Sequence, residues 1–398
     1  MSEPAPISAP CVPCVPSVGE STKLFVKLVR FEGSDLFIQA GSPPSARVDS
    51  NVRLLANEPT TNADAQRLFE SILNAFQQEA FTKTGEVDAA VEIPEAGRFR
   101  VNVFSHRGRL GFAFRHLKTF LPSLEDLLLP TGQLVRLAKL RRGIVLVTGT
   151  AGSGKSTTLA GIVNWLNQNQ SRHIVTLEDP VEFVFDSYLC TIHQREVGVD
   201  TVSFATALKH IVRQSPDVII VGEMRDRDTV EAVLHAAETG HLVLSTLHTV
   251  NASNTVERIL SFFPIDQHAH VRSQLATLLE GVLSLRLLPR ARGAGRVPAV
   301  ELMLATPTVR EMLSQGRTGD LSNAIRDGAE HFGSLTFNQS LVGLVREGLV
   351  SPDEAYAASD NPDEIDRELR GIIQGGRGRA VVDGQGLAAA SGRRGKRP

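Results

Sequence analysis

Three cysteines in 398 residues are too few to staple a fold. Cys11, Cys14 and Cys190 exclude a disulfide framework and suit a reducing compartment. Cys11 and Cys14 have CxxC spacing, but a zinc site needs about four ligands and no second pair follows. The pair reads as two free thiols in a flexible tail. No apolar run approaches the roughly 18 residues that cross a bilayer, and the N-terminus lacks a signal-peptide pattern. A cytoplasmic protein is expected. Neither sign of charge prevails: 42 Lys and Arg face 44 Asp and Glu. The net charge of −2 gives no strong steering toward nucleic acid or anionic lipid, and no specific nucleic-acid partner is expected. No internal repeat is found.

What remains is ordinary globular material, 42% hydrophobic and 22% charged, with length for two or three domains. Residues 1–20 are rich in Pro, Ser and Ala and read as a disordered tail. The chain beyond 370 reads as a second, basic tail, with six Lys or Arg against Asp383. A first block, 21–118, mixes helix and strand. SDLFIQA alternates like a half-buried strand, and Gln66–Phe81 has apolar residues at helical spacing. GRFRVNVFSHRGRLGFAFRHL alternates like a β-hairpin dense in arginine. Residues 119–142 read as a link. The second block, 143–370, alternates the strand candidates GIVLVT, HIVTLE, DVIIVGE and HLVLSTLH with helices. That order predicts a mostly parallel sheet covered on both faces. From about 265 the pattern turns helical, through DQHAHVRSQLATLLEGVLSLRL and FNQSLVGLVREGL.

Gly149-Thr150-Ala151-Gly152-Ser153-Gly154-Lys155-Ser156 satisfies the phosphate-loop pattern GxxxxGK[ST], and Thr157 continues it into a helix. Glycines let backbone N–H groups curl around phosphate oxygens, and a helix N-terminus adds partial positive charge there. Lys155 is expected on the β- and γ-phosphates, and the Ser156 hydroxyl on Mg²⁺. Glu178 and Glu223 end neighbouring strand candidates, where an open α/β sheet forms its ligand crevice. One carboxylate must serve the metal and another the attacking water. Glu223 is assigned to Mg²⁺, Glu178 to water, and Gly222 is expected to leave room for nucleotide or metal. His241 opens the last strand and His248 closes it; both join the catalytic candidates. Cations from the hairpin, Arg98, Arg100 and Arg115 among them, could offset phosphoryl charge from a neighbouring domain or subunit.

Together GTAGSGKSTTLA, TLEDPVEF, HQREVGVDT, SPDVIIVGEMRD and AETGHLVLSTLHT resemble the secretion ATPase superfamily, and within it the PilT-type retraction ATPases of type IV pili with their PilU-like paralogues. The resemblance spans roughly residues 22–370. It implies an α/β fold: a PAS-like α+β N-terminal domain, a RecA-like ATPase domain and C-terminal helices. It also implies ATP with Mg²⁺, N-terminal-domain arginines that reach the nucleotide, and a hexameric ring at the cytoplasmic base of a pilus machine. An inner-membrane platform protein is the implied partner, with a paralogous retraction ATPase as a further one. One departure stands out. Where such ATPases carry Ala-Ile-Arg-Asn-Leu-Ile-Arg-Glu, this chain has Thr308 to Gln315, keeping Arg310 but not the final Arg-Glu pair. An accessory subunit dependent on a homologue is the alternative, and a non-hydrolysing nucleotide-binding scaffold is another.

Overall fold

The computed structural model describes residues 19–48, 51–117 and 121–374. Cys11, Cys14 and the basic run from Arg377 lie outside the described residues, as do most of the two expected tails. Two sheets organise the rest.

The first sheet holds β1 (Asp35–Gln39), β2 (Ser45–Val48), β3 (Asn51–Leu54), β4 (Glu86–Ile93), β5 (Gly97–His106) and β6 (Arg109–His116), in the order β3-β2-β1-β6-β5-β4. Every pairing is antiparallel. The expected hairpin is β5–β6, closed by Arg107 and Gly108, both at positive φ (50° and 72°). A two-residue turn of this hand follows the twist of the strands. Alternation then sends Phe99, Val101 and Val103 into the core and Arg98 and Arg100 to the opposite face. Phe25, from the helix Gly19–Arg30, meets Phe99 and Phe114 edge-on at 4.9 and 4.8 Å.

The helix expected over Gln66–Phe81 is two helices, Asn62–Ile72 and Ala75–Thr84. Leu73 is extended and Asn74 caps the second helix. The Asn74 side chain accepts the Gln77 N–H at 2.9 Å while the Gln77 side chain accepts the Asn74 N–H at 3.0 Å. This reciprocal cap outweighs the apolar periodicity running through it.

The second sheet holds β7 (Gly143–Thr148), β8 (His173–Glu178), β9 (Thr191–Glu196), β10 (Val218–Val221), β11 (Leu242–Leu247), β12 (Leu279–Pro289) and β13 (Arg296–Leu304). Its order is β13-β12-β7-β11-β10-β8-β9, parallel throughout except for β12–β13. Ile144 and Leu146 face one helical layer, Val145 and Val147 the other. The helical reading of 266–287 therefore fails in its second half. The helix His268–Leu278 stops and β12 begins, pairing with β7 on one side and β13 on the other. Buried on both faces, β12 shows no period-2 pattern to separate it from a helix. The link 119–142 carries the helix Thr131–Ala138, whose Leu134, Leu137 and Ala138 pack in the same layer as Val145. Arg172 fastens the end of that helix by donating to the carbonyls of Ala138, Lys139 and Leu140. No helix among the described residues is long and apolar enough to cross a membrane.

Candidate active site

A cavity of about 320 Å³ opens at the carboxyl ends of β7, β8, β10 and β11, the end where parallel sheets gather ligands. Its floor is the loop between β7 and the helix Lys155–Asn169. Gly149 has φ +145°, and a Cβ there would stand 2.6 Å from the Leu285 carbonyl oxygen. Gly152 and Gly154 also have positive φ and border open space. The loop thus turns through conformations that L side chains avoid. Lys155 folds back over it, its Nζ donating to the carbonyls of Gly149 (2.9 Å) and Thr150 (3.0 Å). Burial pulls the Lys155 pKa down, against the opposing charges of Glu223 and Glu182. The buried Ser153 hydroxyl has no partner. Thr150, Ala151 and Gly152 are exposed, and Ser156 and Thr157 half-buried. Backbone donors at a helix start, an ammonium and an orphaned hydroxyl fit a phosphate chain.

Three groups then run in a line. Lys155 Nζ lies 3.4 Å from His248 Nδ1, and His248 Nε2 lies 3.4 Å from Glu223 Oε1. The other Glu223 oxygen accepts from Arg225 Nε at 3.0 Å, and Arg225 also reaches Asp179 at 3.5 Å. Glu178 lines the same cavity. Its Oε1 accepts from the Thr176 hydroxyl (2.7 Å) and Gln194 Nε2 (3.2 Å), its Oε2 from the Glu182 N–H (3.4 Å). Burial raises the Glu178 pKa, and these hydrogen bonds oppose the rise. Gly222 lines the cavity, and its missing side chain matters on the β8 side as well. A Cβ there would meet Leu177 O at 3.3 Å and Glu178 Cα at 3.4 Å, so the glycine lets β8 and β10 close together. No group of three or more His, Cys, Asp or Glu among the described residues could hold a metal unaided. Ser156 and Glu223 supply two oxygens, which fits Mg²⁺ completing its shell on phosphates and water.

Other candidates lie elsewhere. His241 precedes β11, at the amino end of the sheet; its Nδ1 sits 2.9 Å from Ala236 O and 3.1 Å from Thr239 Oγ1. Six strand residues, roughly 20 Å, separate it from the phosphate loop. Of the three arginines, Arg100 alone lines the cavity, and it is that of its own chain. Arg115 pairs with Asp35 at 3.0 Å. Arg98 is buried against Val181 and Glu196. Arg225, Gln194, Thr176 and Glu196 have no role in the reading of the sequence, although all four sit within the motifs quoted there.

The family model described as "Type II/IV secretion system protein" matches residues 121–328. The type IV pilus retraction ATPase PilT of Pseudomonas aeruginosa is 40% identical over 345 residues, covering 86% of this chain and 99% of its own. The type IV pilus ATPase PilU of the same organism is 38% identical, over 87% of this chain and 90% of its own. A crystal structure of the pilus retraction motor PilT with bound ADP superposes with a TM-score of 0.79 at 39% identity, covering 87% of this chain and 98% of that one. The chain belongs to the PilT family of type IV pilus retraction ATPases. Its fold is accordingly a RecA-like ATPase domain joined to a PAS-like N-terminal domain and C-terminal helices. In this PilT-family ATPase the departing stretch Thr308 to Gln315 lies in the helix Pro307–Gln315. Arg310 there donates to the carbonyls of Ala276 (2.9 Å) and Thr277 (3.0 Å) and pairs with Glu280 (2.9 Å). It locks the junction where the helix His268–Leu278 gives way to β12.

Proposed function

We propose that this chain is a Mg²⁺-dependent ATPase motor that drives type IV pilus retraction. It works as a homo-oligomer, a hexameric ring, in the cytoplasm at the inner-membrane base of the pilus machine, against a membrane-embedded platform protein. The carrying observation is the Lys155–His248–Glu223 line with Glu178 in the same cavity. Residues Gly149 to Thr157 cradle the phosphates of ATP through backbone N–H groups, and Lys155 exchanges its two loop carbonyls for phosphate oxygens. Bound Mg²⁺ supplies charge neutralisation at the transferring phosphoryl group. Ser156 and Glu223 would hold it. His248 bridges the phosphate-loop lysine and the metal-end carboxylate. Glu178, held on one oxygen by Thr176 and Gln194, turns the other toward the attacking water and takes its proton. Arg100, at the cavity rim with a distant 3.9 Å partner in Asp88, is free to swing onto phosphate. Lys155→Ala in the full chain abolishes steady-state phosphate release; an unchanged rate favours the scaffold reading.

The altered stretch Thr308 to Gln315 favours one second reading, an accessory retraction subunit that works beside a paralogue. Cells that lack this chain alone distinguish the two: a self-sufficient motor leaves pili that extend and do not retract, an accessory subunit leaves retraction weakened.

A further inference from the structure

Arg98 is the one arginine of the hairpin that is buried, at 3% exposure; the side chains of Arg100 and Arg115 are 41% and 71% exposed. It leaves β5 in the first sheet and ends against the second. Its Nε donates to Val181 O at 3.1 Å, its Nη2 stands 3.4 Å from Glu196 Oε2, and its Nη1 has no partner. Glu196, at the end of β9, is itself buried, and the same Oε2 accepts the Val181 N–H at 3.0 Å. The Val181 residue is therefore gripped at both ends, its N–H by Glu196 and its carbonyl by Arg98. The next N–H along, that of Glu182, bonds the Glu178 carboxylate. Glu178 and Glu196 are register partners across β8 and β9, and the Val197 N–H holds the Glu178 carbonyl at 2.9 Å. A buried arginine with one long ion pair and one orphaned nitrogen is costly to keep. One use that such a pair can serve is to specify a geometry.

We propose that Arg98 and Glu196 form an interdomain clasp on Val181 that sets the position of Glu178, so that Arg98 acts on turnover as a positioning residue without touching nucleotide. The inference rests on Glu178 being the residue that activates water. Closing the N-terminal sheet onto the ATPase sheet completes the grip; opening it frees the 179–182 segment and lets the carboxylate drift. A misplacement of about 1 Å at a reacting group can cost on the order of 10²-fold in rate.

The test uses the full chain with Arg98→Gln, Glu196→Gln and the double variant, beside Glu178→Gln. Phosphate release gives turnover, and titration with a fluorescent ADP analogue gives affinity. Each single change is expected to lower kcat by about tenfold or more with affinity held within about threefold. The double variant should fall no further than the weaker single, because both residues serve one clasp. Hydrogen exchange should quicken at the amides of Val181 and Glu182 in Glu196→Gln, a near-isosteric change that also serves if Arg98→Gln does not fold. Loss of affinity at constant kcat would mean that Arg98 binds nucleotide directly, and multiplying losses or unchanged exchange would also overturn the clasp. Near-normal turnover in Glu178→Gln would instead sink the role given to Glu178, while coupling and exchange still judge the clasp.

Discussion

Glu178 and Glu223 end adjacent strands but keep different company. Glu178 is held by neutral donors in a site whose burial favours its protonated form. Glu223 sits between Arg225 and His248, beside the lysine of the phosphate loop. If Glu178 is the base, Glu178→Gln binds Mg²⁺·ATP nearly normally and loses turnover by about 10²-fold or more. Glu223→Gln instead raises the Mg²⁺ concentration needed for half-maximal rate. A Mg²⁺ titration of both variants checks the assignment, since a metal requirement raised only in Glu178→Gln would swap the roles. The pH profile follows as well. A base must be ionised, and burial lifts the Glu178 pKa above its ordinary 4.5. Turnover should therefore fall as pH drops through that raised value, an acidic limb that Glu178→Gln lacks. These carboxylates were legible in the sequence because each ends a run of apolar β-formers behind a phosphate loop. His241 was legible in the same way, but the structure puts it at the other end of its strand. A histidine beside a strand looks alike at either end until the strand direction is known. Arg98 looked like its neighbours because the sequence does not tell which outward side chain a second domain will cover.

Some elements are announced by their own pattern, and others are decided by a cap or hidden by the continuing pattern of a neighbour. The phosphate-loop helix, the β5–β6 hairpin and four parallel strands fall in the first class. The split at Asn74 and the strand β12 fall in the second. The β12–β13 pair also carries a carboxyl that no motif marks. Glu301, on β13, is buried, and burial pushes its pKa up to about 7; Asp360 adds to the rise, while the Ala252 N–H and Arg286 oppose it. That N–H, at 2.7 Å, belongs to the first residue of the helix Ala252–Ser261, which follows the His248 strand end. Because the folded-state value lies above the unfolded one, the folded chain holds this proton more tightly. The stability it contributes is complete below about pH 4.5 and is lost as pH rises through about 7. Across that window the loss approaches roughly 3 kcal/mol. Glu301→Gln keeps the acceptor for Ala252 and removes the charge. Between pH 5 and 8 its denaturation midpoint should decline less than that of the wild type; parallel curves would remove Glu301 from the pH response.

At the scale of the molecule, the cavity is lined from both sheets of one chain, and Arg100 and the phosphate loop of the same chain both border it. A ring is expected in solution, and mass measurement in the presence of nucleotide should give a multiple near six. Within mixed rings, Lys155→Ala chains combined with Arg100→Ala chains should recover no hydrolysis, because each chain lacks part of its own site. Recovery would assign Arg100 to the neighbouring subunit instead. The strand order sets a further condition, on the order of synthesis. The phosphate-loop strand β7 ends at Thr148, but the strands that flank it, β11 and β12, end at Leu247 and Pro289. A nascent chain therefore carries its nucleotide loop on a strand with both edges bare until Leu247 is made, and with one edge bare until Pro289, nearly three-quarters of the protein. Until then ATP has no folded site to stabilise, and a message cut before Pro289 yields a chain that nucleotide cannot rescue.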